Sequence, residues 1–92
     1  MKSRLTFARI IYRMRNEKKL TTRKFAKEVG VTGSTVARWE RDNIVPDPEG
    51  MFRLIIALGL DEQDKEETRN ELLRAYFRHT KMDKLFNLYN QL

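Results

Sequence analysis

Residues 20–41 read LTTRKFAKEVGVTGSTVARWER, two short helical patterns separated by a single glycine. Thr21 and Thr32 each stand before a run of good helix formers, where a hydroxyl can accept a hydrogen bond from a backbone N–H left unpaired in the first turn. The first helix is predicted over residues 22–29. It must stop at Gly30, because glycine takes the left-handed conformation that closes a helix at little steric cost. Phe25 and Val29, spaced i and i+4, should face inward, and Ala26 beside them is small enough to admit another helix closely. The second helix, restarted by Thr32, should bury Val36 and Trp39 together. Its outer side then carries Gly33, Ser34, Ala37, Arg38 and Arg41, short-chained at the start and basic at the end. A face of that kind can lie against a duplex.

In these residues the chain resembles the Cro and phage-repressor family of helix-turn-helix proteins, also called the xenobiotic-response-element type. The likeness spans residues 7–60. It rests on Leu20-Thr21, the Ala26 and Gly30 pair, the run Val31-Thr32-Gly33-Ser34-Thr35-Val36, the Trp39-Glu40-Arg41 end and the helix start at Pro46-Asp47-Pro48. The resemblance implies an all-α, lambda-repressor-like fold: a helix-turn-helix domain over residues 1–60 and a C-terminal helical extension over residues 61–92, within one compact unit. It also implies double-stranded DNA as the partner and a homodimer as the bound form, since a near-palindromic operator calls for paired recognition helices about one helical turn, roughly 34 Å, apart. Arg38 is then the leading base reader, able to present two donors to a guanine edge. Ser34 and Thr35 can reach bases or phosphates, Ala37 a thymine methyl, and Gly33 permits close backbone approach. Thr22, Arg23, Arg41 and Asn43 are candidates for phosphate contacts. In the family an arginine of the first helix pairs with the glutamate that ends the recognition helix, and the matching residues here are Arg15 and Glu40. Departures from the pattern fall near the DNA. Relatives often carry glutamine where Thr22 stands, and long polar side chains where Gly33 and Ser34 stand. Asp42 replaces a common terminal glycine, and Asn43 can take the left-handed turn instead.

Charge is distributed in keeping with a polyanionic partner. The chain of 92 residues carries a formal net charge of +6. Residues 1–46 hold 12 Lys and Arg against 4 Asp and Glu, a net of +8, whereas residues 47–92 hold 7 against 9, a net of −2. The basic half is therefore the half with the two short helices, where phosphates would need it. RNA is a weaker reading of the same charge, because no aromatic stacking platform accompanies it.

Around that centre a first helix is expected over residues 5–18, with Leu5, Ala8, Ile11 or its neighbour Tyr12, and Arg15 at helical spacing. A fourth is expected over residues 48–58, capped by Asp47 and begun by a proline suited to the first helical position. Met51, Leu54, Ile55 and Leu58 form its inner face, with Phe52 and Ile56 either more exposed or facing the C-terminal segment. The acidic run 61–67 suits a helix N-terminus, where the macrodipole favours negative charge. That helix should run to about residue 79. Thr80 and Asp83 then resemble a capping box for a last helix. Leu72, Leu73, Tyr76 and Phe77, and after them Leu85, Phe86 and Tyr89, form two apolar stripes. They could cover the fourth helix, or serve as a dimer or partner interface. A protein partner, as in an antitoxin that grips a toxin through its last helices and binds its own operator, is the alternative to a stand-alone regulator.

Catalysis finds no support. His79 is the only histidine, no glycine-rich phosphate loop is present, and no acidic cluster has metal-ligand spacing, so no enzyme activity, metal or cofactor is expected. The absence of cysteine excludes disulfides and thiolate metal sites and fits a reducing cytoplasm. No signal peptide is visible, and the longest apolar run, residues 54–60, falls far short of the roughly 20 residues that span a bilayer.

Overall fold

Hydroxyl caps and left-handed turns set the element boundaries. The computed structural model describes residues 6–42, 44–81, 88 and 91, and every regular element among them is helical. In order they are α1 (Phe7–Glu17), α2 (Thr22–Val29), α3 (Gly33–Arg41), α4 (Pro48–Ala57), a 3-10 turn (Gln63–Lys65) and α5 (Glu66–His79). Four caps have the same design. The side-chain oxygens of Thr6, Thr21, Thr32 and Asp47 accept from the backbone N–H three residues on, at 3.2, 3.1, 3.1 and 2.8 Å. Helix α1 thus starts after Thr6, two residues later than the apolar spacing suggests, and Leu5 lies outside the described residues. Gly30 closes α2 in the left-handed region at φ 90°, and Gly59 turns the chain after α4 at φ 72°.

Helices α1 to α5 share one core. Phe7, Ile10, Ile11 and Met14 of α1 meet Phe25, Ala26 and Val29 of α2, Val36 and Trp39 of α3, and Met51, Leu54 and Leu58 around α4. The inner stripe of α1 therefore runs through Ile10 and Met14. Tyr12, offered as an alternative to Ile11 on that stripe, is exposed. From α5, Leu72, Ala75 and Tyr76 complete the core, with Leu73 and Phe77 half-buried at its edge.

That placement corrects two expectations. Leu72 is 0% and Tyr76 7% exposed, so both side chains are committed to the monomer's own core and neither is available as a dimer or partner surface. An amphipathic stripe signals burial without saying against what, and here α1 is the partner: Arg13 of α1 holds Glu71 of α5 through two hydrogen bonds of 2.8 and 3.3 Å. Thr80 likewise faces backwards. Its hydroxyl donates to the carbonyls of Tyr76 and Phe77 at 3.2 and 3.3 Å, at the end of α5. Met82, Asp83, Leu85, Phe86 and Tyr89 lie outside the described residues.

One buried polar contact fixes α5 to the loop before α4. The Tyr76 hydroxyl donates to the Pro46 carbonyl at 3.0 Å, and its ring packs on Phe7 with centroids 6.1 Å apart. Burial, and then the nearby Asp47 carboxylate, push the Tyr76 hydroxyl above the ordinary phenol range. A raised pKa means that the native state holds this proton more tightly than the unfolded chain. The associated stability is complete below about pH 10, the unfolded value, and is lost as pH rises through the native one. Tyr76→Phe should therefore lower stability by about 1 kcal/mol at neutral pH, the net worth of one buried hydrogen bond, and should flatten the alkaline decline. Chemical denaturation of both proteins at neutral and alkaline pH checks this, and equal alkaline slopes would contradict it.

Candidate nucleic-acid interface

The site begins with how α3 is held. Val36 and Trp39, 0% and 3% exposed, anchor one side of the helix in the core. At 3.6 residues per turn the opposite side must carry Ser34, Ala37, Arg38 and Arg41, and Ser34, Arg38 and Arg41 are exposed while Ala37 is half-buried between them. Arg38 and Arg41 occupy the last turn of α3, where they also complement its carbonyl end. No hydrogen bond to another described residue engages the Arg38 guanidinium. Arg41 lies 3.3 Å from Asp42 in a solvent-exposed pair of small energetic worth, so its charge stays available.

Helix α2 lies against α3 and contributes its N-terminal flank. Thr22 is half-buried, and Arg23, Lys24 and Lys27 are exposed. The backbones approach closely at the start of α3: a Cβ placed on Gly33 would stand 3.7 Å from the Cα of Arg23. Thr35 is less free than its position suggests. Its hydroxyl lies 2.9 Å from that of Thr32, inside the cap of α3, so one of its hydrogen-bonding directions is already used. Asn43, the remaining candidate for a phosphate contact, lies outside the described residues.

Behind the site, Arg15 and Glu40 join α1 to the end of α3. Arg15 Nε donates to Glu40 Oε2 at 2.7 Å and Nη2 to Oε1 at 3.0 Å, a bidentate pair whose side chains are 11% and 10% exposed. Its third donor, Nη1, reaches the Leu20 carbonyl at 2.6 Å. One guanidinium thus ties together α1, the chain leading into α2 and the last turn of α3. The Tyr12 ring covers it, 5.4 Å from centroid to guanidinium carbon, as a cation–π contact. The hydrogen bonds to Glu40 raise the Arg15 pKa above its already high ordinary value, against the opposing effect of burial. The roles of Leu20 and Tyr12 are not legible in residue spacing, because a backbone carbonyl and a stacked ring leave no mark on it.

Two capped helices joined at a left-handed glycine, with the second anchored by Val36 and Trp39 and its polar side free, are a helix-turn-helix. A family model described as helix-turn-helix matches residues 11–65, more than half of the chain. The chain belongs to the Cro/C1-type helix-turn-helix family. No curated protein and no solved structure matches it. Membership makes the protein a DNA-binding helix-turn-helix regulator with a lambda-repressor-like, all-α fold. The family match covers α2, α3, α4 and most of α1, and it stops at the end of the 3-10 turn. Helix α5 lies beyond it, although it completes the core. Among the described residues no helix is long and apolar enough to cross a membrane, and no group of acidic, histidine or cysteine side chains could hold a metal ion.

Proposed function

We propose that this chain is a sequence-specific regulator of transcription that binds a near-palindromic operator as a homodimer and represses by occluding the promoter. The observation that carries the reading is the free polar side of α3, with Ser34, Ala37, Arg38 and Arg41 set against the buried Val36 and Trp39. Ser34, Ala37 and Arg38 face base edges, while Thr22, Arg41 and the exposed lysines of α2 meet the phosphate backbone on either side. Two copies related by a two-fold axis present two such helices to successive major grooves. The pairing uses the C-terminal extension, of which Leu73, half-buried on α5, is a described residue. Such a regulator acts in the cytoplasm, on the nucleoid.

Selection of bound duplexes from a random library, with affinity measured against salt, tests the proposal directly. The expected result is an enriched site of two inverted half-sites centred about 10 base pairs apart. Its affinity should fall linearly in log–log form with salt, the slope reporting how many phosphates are neutralised. Failure to enrich any sequence at any salt would overturn sequence-specific regulation. Sedimentation of the protein with and without a duplex of the full site tests the pairing, and a monomer on the full site would overturn the homodimer.

A further inference from the structure

Helix α3 begins with two residues that can reach little. Gly33 has no side chain, Ser34 has a single hydroxyl, and Thr35 shares its hydroxyl with the Thr32 cap. A recognition helix that reads with Arg38 alone would leave the base pairs opposite its first turn unread. The same first turn is where α2 comes closest, with the Arg23 Cα 3.7 Å from the place of a Cβ on Gly33. Residue 23 therefore stands beside the first turn of α3. Arg23 is exposed, and no hydrogen bond to another described residue holds its guanidinium elsewhere.

We propose that Arg23 is a second base reader, supplying from α2 the long side chain that the first turn of α3 lacks. This assignment replaces the expectation that Arg23 contacts phosphate, and it rests on the reading of the chain as a sequence-specific DNA-binding protein. Arginine suits the role because its planar fork can donate two hydrogen bonds to O6 and N7 of one guanine, which a lysine cannot match. The absence of a side chain at Gly33 leaves the first turn of α3 open beside Arg23. The spacing sets the register. Positions 33 and 38 are separated by about 7.5 Å along a helix rising 1.5 Å per residue, and base pairs are about 3.4 Å apart, so Arg23 and Arg38 should read base pairs about two steps apart.

The test compares sequence preferences of the full chain and three variants, Arg23→Ala, Arg23→Lys and Gly33→Gln, on a random duplex library and then on single-base-pair variants of the selected site. Arg23→Ala should lose about five- to 150-fold discrimination at one base pair, about two steps from the pair governed by Arg38, and keep the preferences elsewhere. Arg23→Lys should not restore it. Gly33→Gln meets only ordinary van der Waals contact at its Cβ, so the fold should persist, as a melting curve will show. Its preference at that same base pair should move toward adenine, which glutamine reads by two hydrogen bonds. Uniform weakening of all sequences by Arg23→Ala, with the salt slope reduced by about one, would make Arg23 a phosphate contact and overturn the proposal. So would an unchanged preference, or a Gly33→Gln effect confined to a different base pair. If the unmodified chain selects no sequence, sequence-specific regulation fails together with this proposal. If it selects one that is indifferent to Arg23, this proposal alone fails.

Discussion

Glu40→Ala is expected to lower the melting temperature by on the order of 10–40 °C, the largest effect of any single substitution considered for this chain. The magnitude follows from burial and geometry. Removing one partner of a buried ion pair leaves an uncompensated charge, at a cost of about 3–5 kcal/mol. For a domain of this size each kcal/mol moves the midpoint by about 4–8 °C. Arg15 would lose both bonds to Glu40, at 2.7 and 3.0 Å, and keep only the Leu20 carbonyl and the Tyr12 ring. Glu40→Gln should cost less, about 1–3 kcal/mol, because an amide oxygen still accepts one of the two bonds while the counter-charge is gone.

The double variant Arg15→Met with Glu40→Leu separates the cost of an orphaned charge from the worth of the pair. Well-packed apolar replacements of buried ion pairs are often neutral or stabilising. The double variant should therefore melt well above Glu40→Ala. Because the pair fixes the end of α3 against α1 and the chain before α2, its DNA affinity should still fall even where its stability recovers. Thermal melts of the three variants decide the matter. An unchanged midpoint in Glu40→Ala would show that the pair contributes nothing to stability.

Whatever depends on a few neighbouring residues is legible in the sequence. Thr21, Thr32 and Asp47 cap helices because each acts on a backbone N–H only three residues away, and Gly30 turns left-handed because the Thr32 cap of the next helix follows two residues later. Contacts between elements were less accessible. The apolar residues of α5 announce burial, but the distinction between Leu72 and Tyr76 in the monomer's core and Leu73 and Phe77 at its edge depends on how α5 rotates against α1. The bidentate Arg13–Glu71 contact and the Tyr76–Pro46 bond fix that rotation, and both join residues distant in the chain. A threonine hydroxyl can cap the helix ahead or bond the carbonyls behind, and only the path of the chain decides between them. At the interface, spacing along α3 identifies which residues share its outer side, while the approach of Arg23 to Gly33 is a property of two helices together.

Arg38→Ala is expected to weaken binding to the preferred site by about 1–3 kcal/mol and to relax the preference at one base pair, leaving melting temperature and salt slope nearly unchanged. Three observations combine in that expectation. Arg38 is exposed one turn beyond Ser34 on the free side of α3, no described residue holds its guanidinium, and the Val36–Trp39 anchor prevents the helix from rotating to present another side chain. Loss of stability is not expected, because an exposed guanidinium without partners gives up little on truncation. A phosphate contact by Arg38 would look different: binding would weaken alike on all sequences, and the dependence of log affinity on log salt would become shallower by about one. The same measurement on Arg41→Ala serves as the comparison. Arg41 stands at the end of α3 beside Asp42, and in the proposed complex it contacts the duplex backbone, so that variant should show the uniform loss and the shallower salt slope that Arg38→Ala lacks.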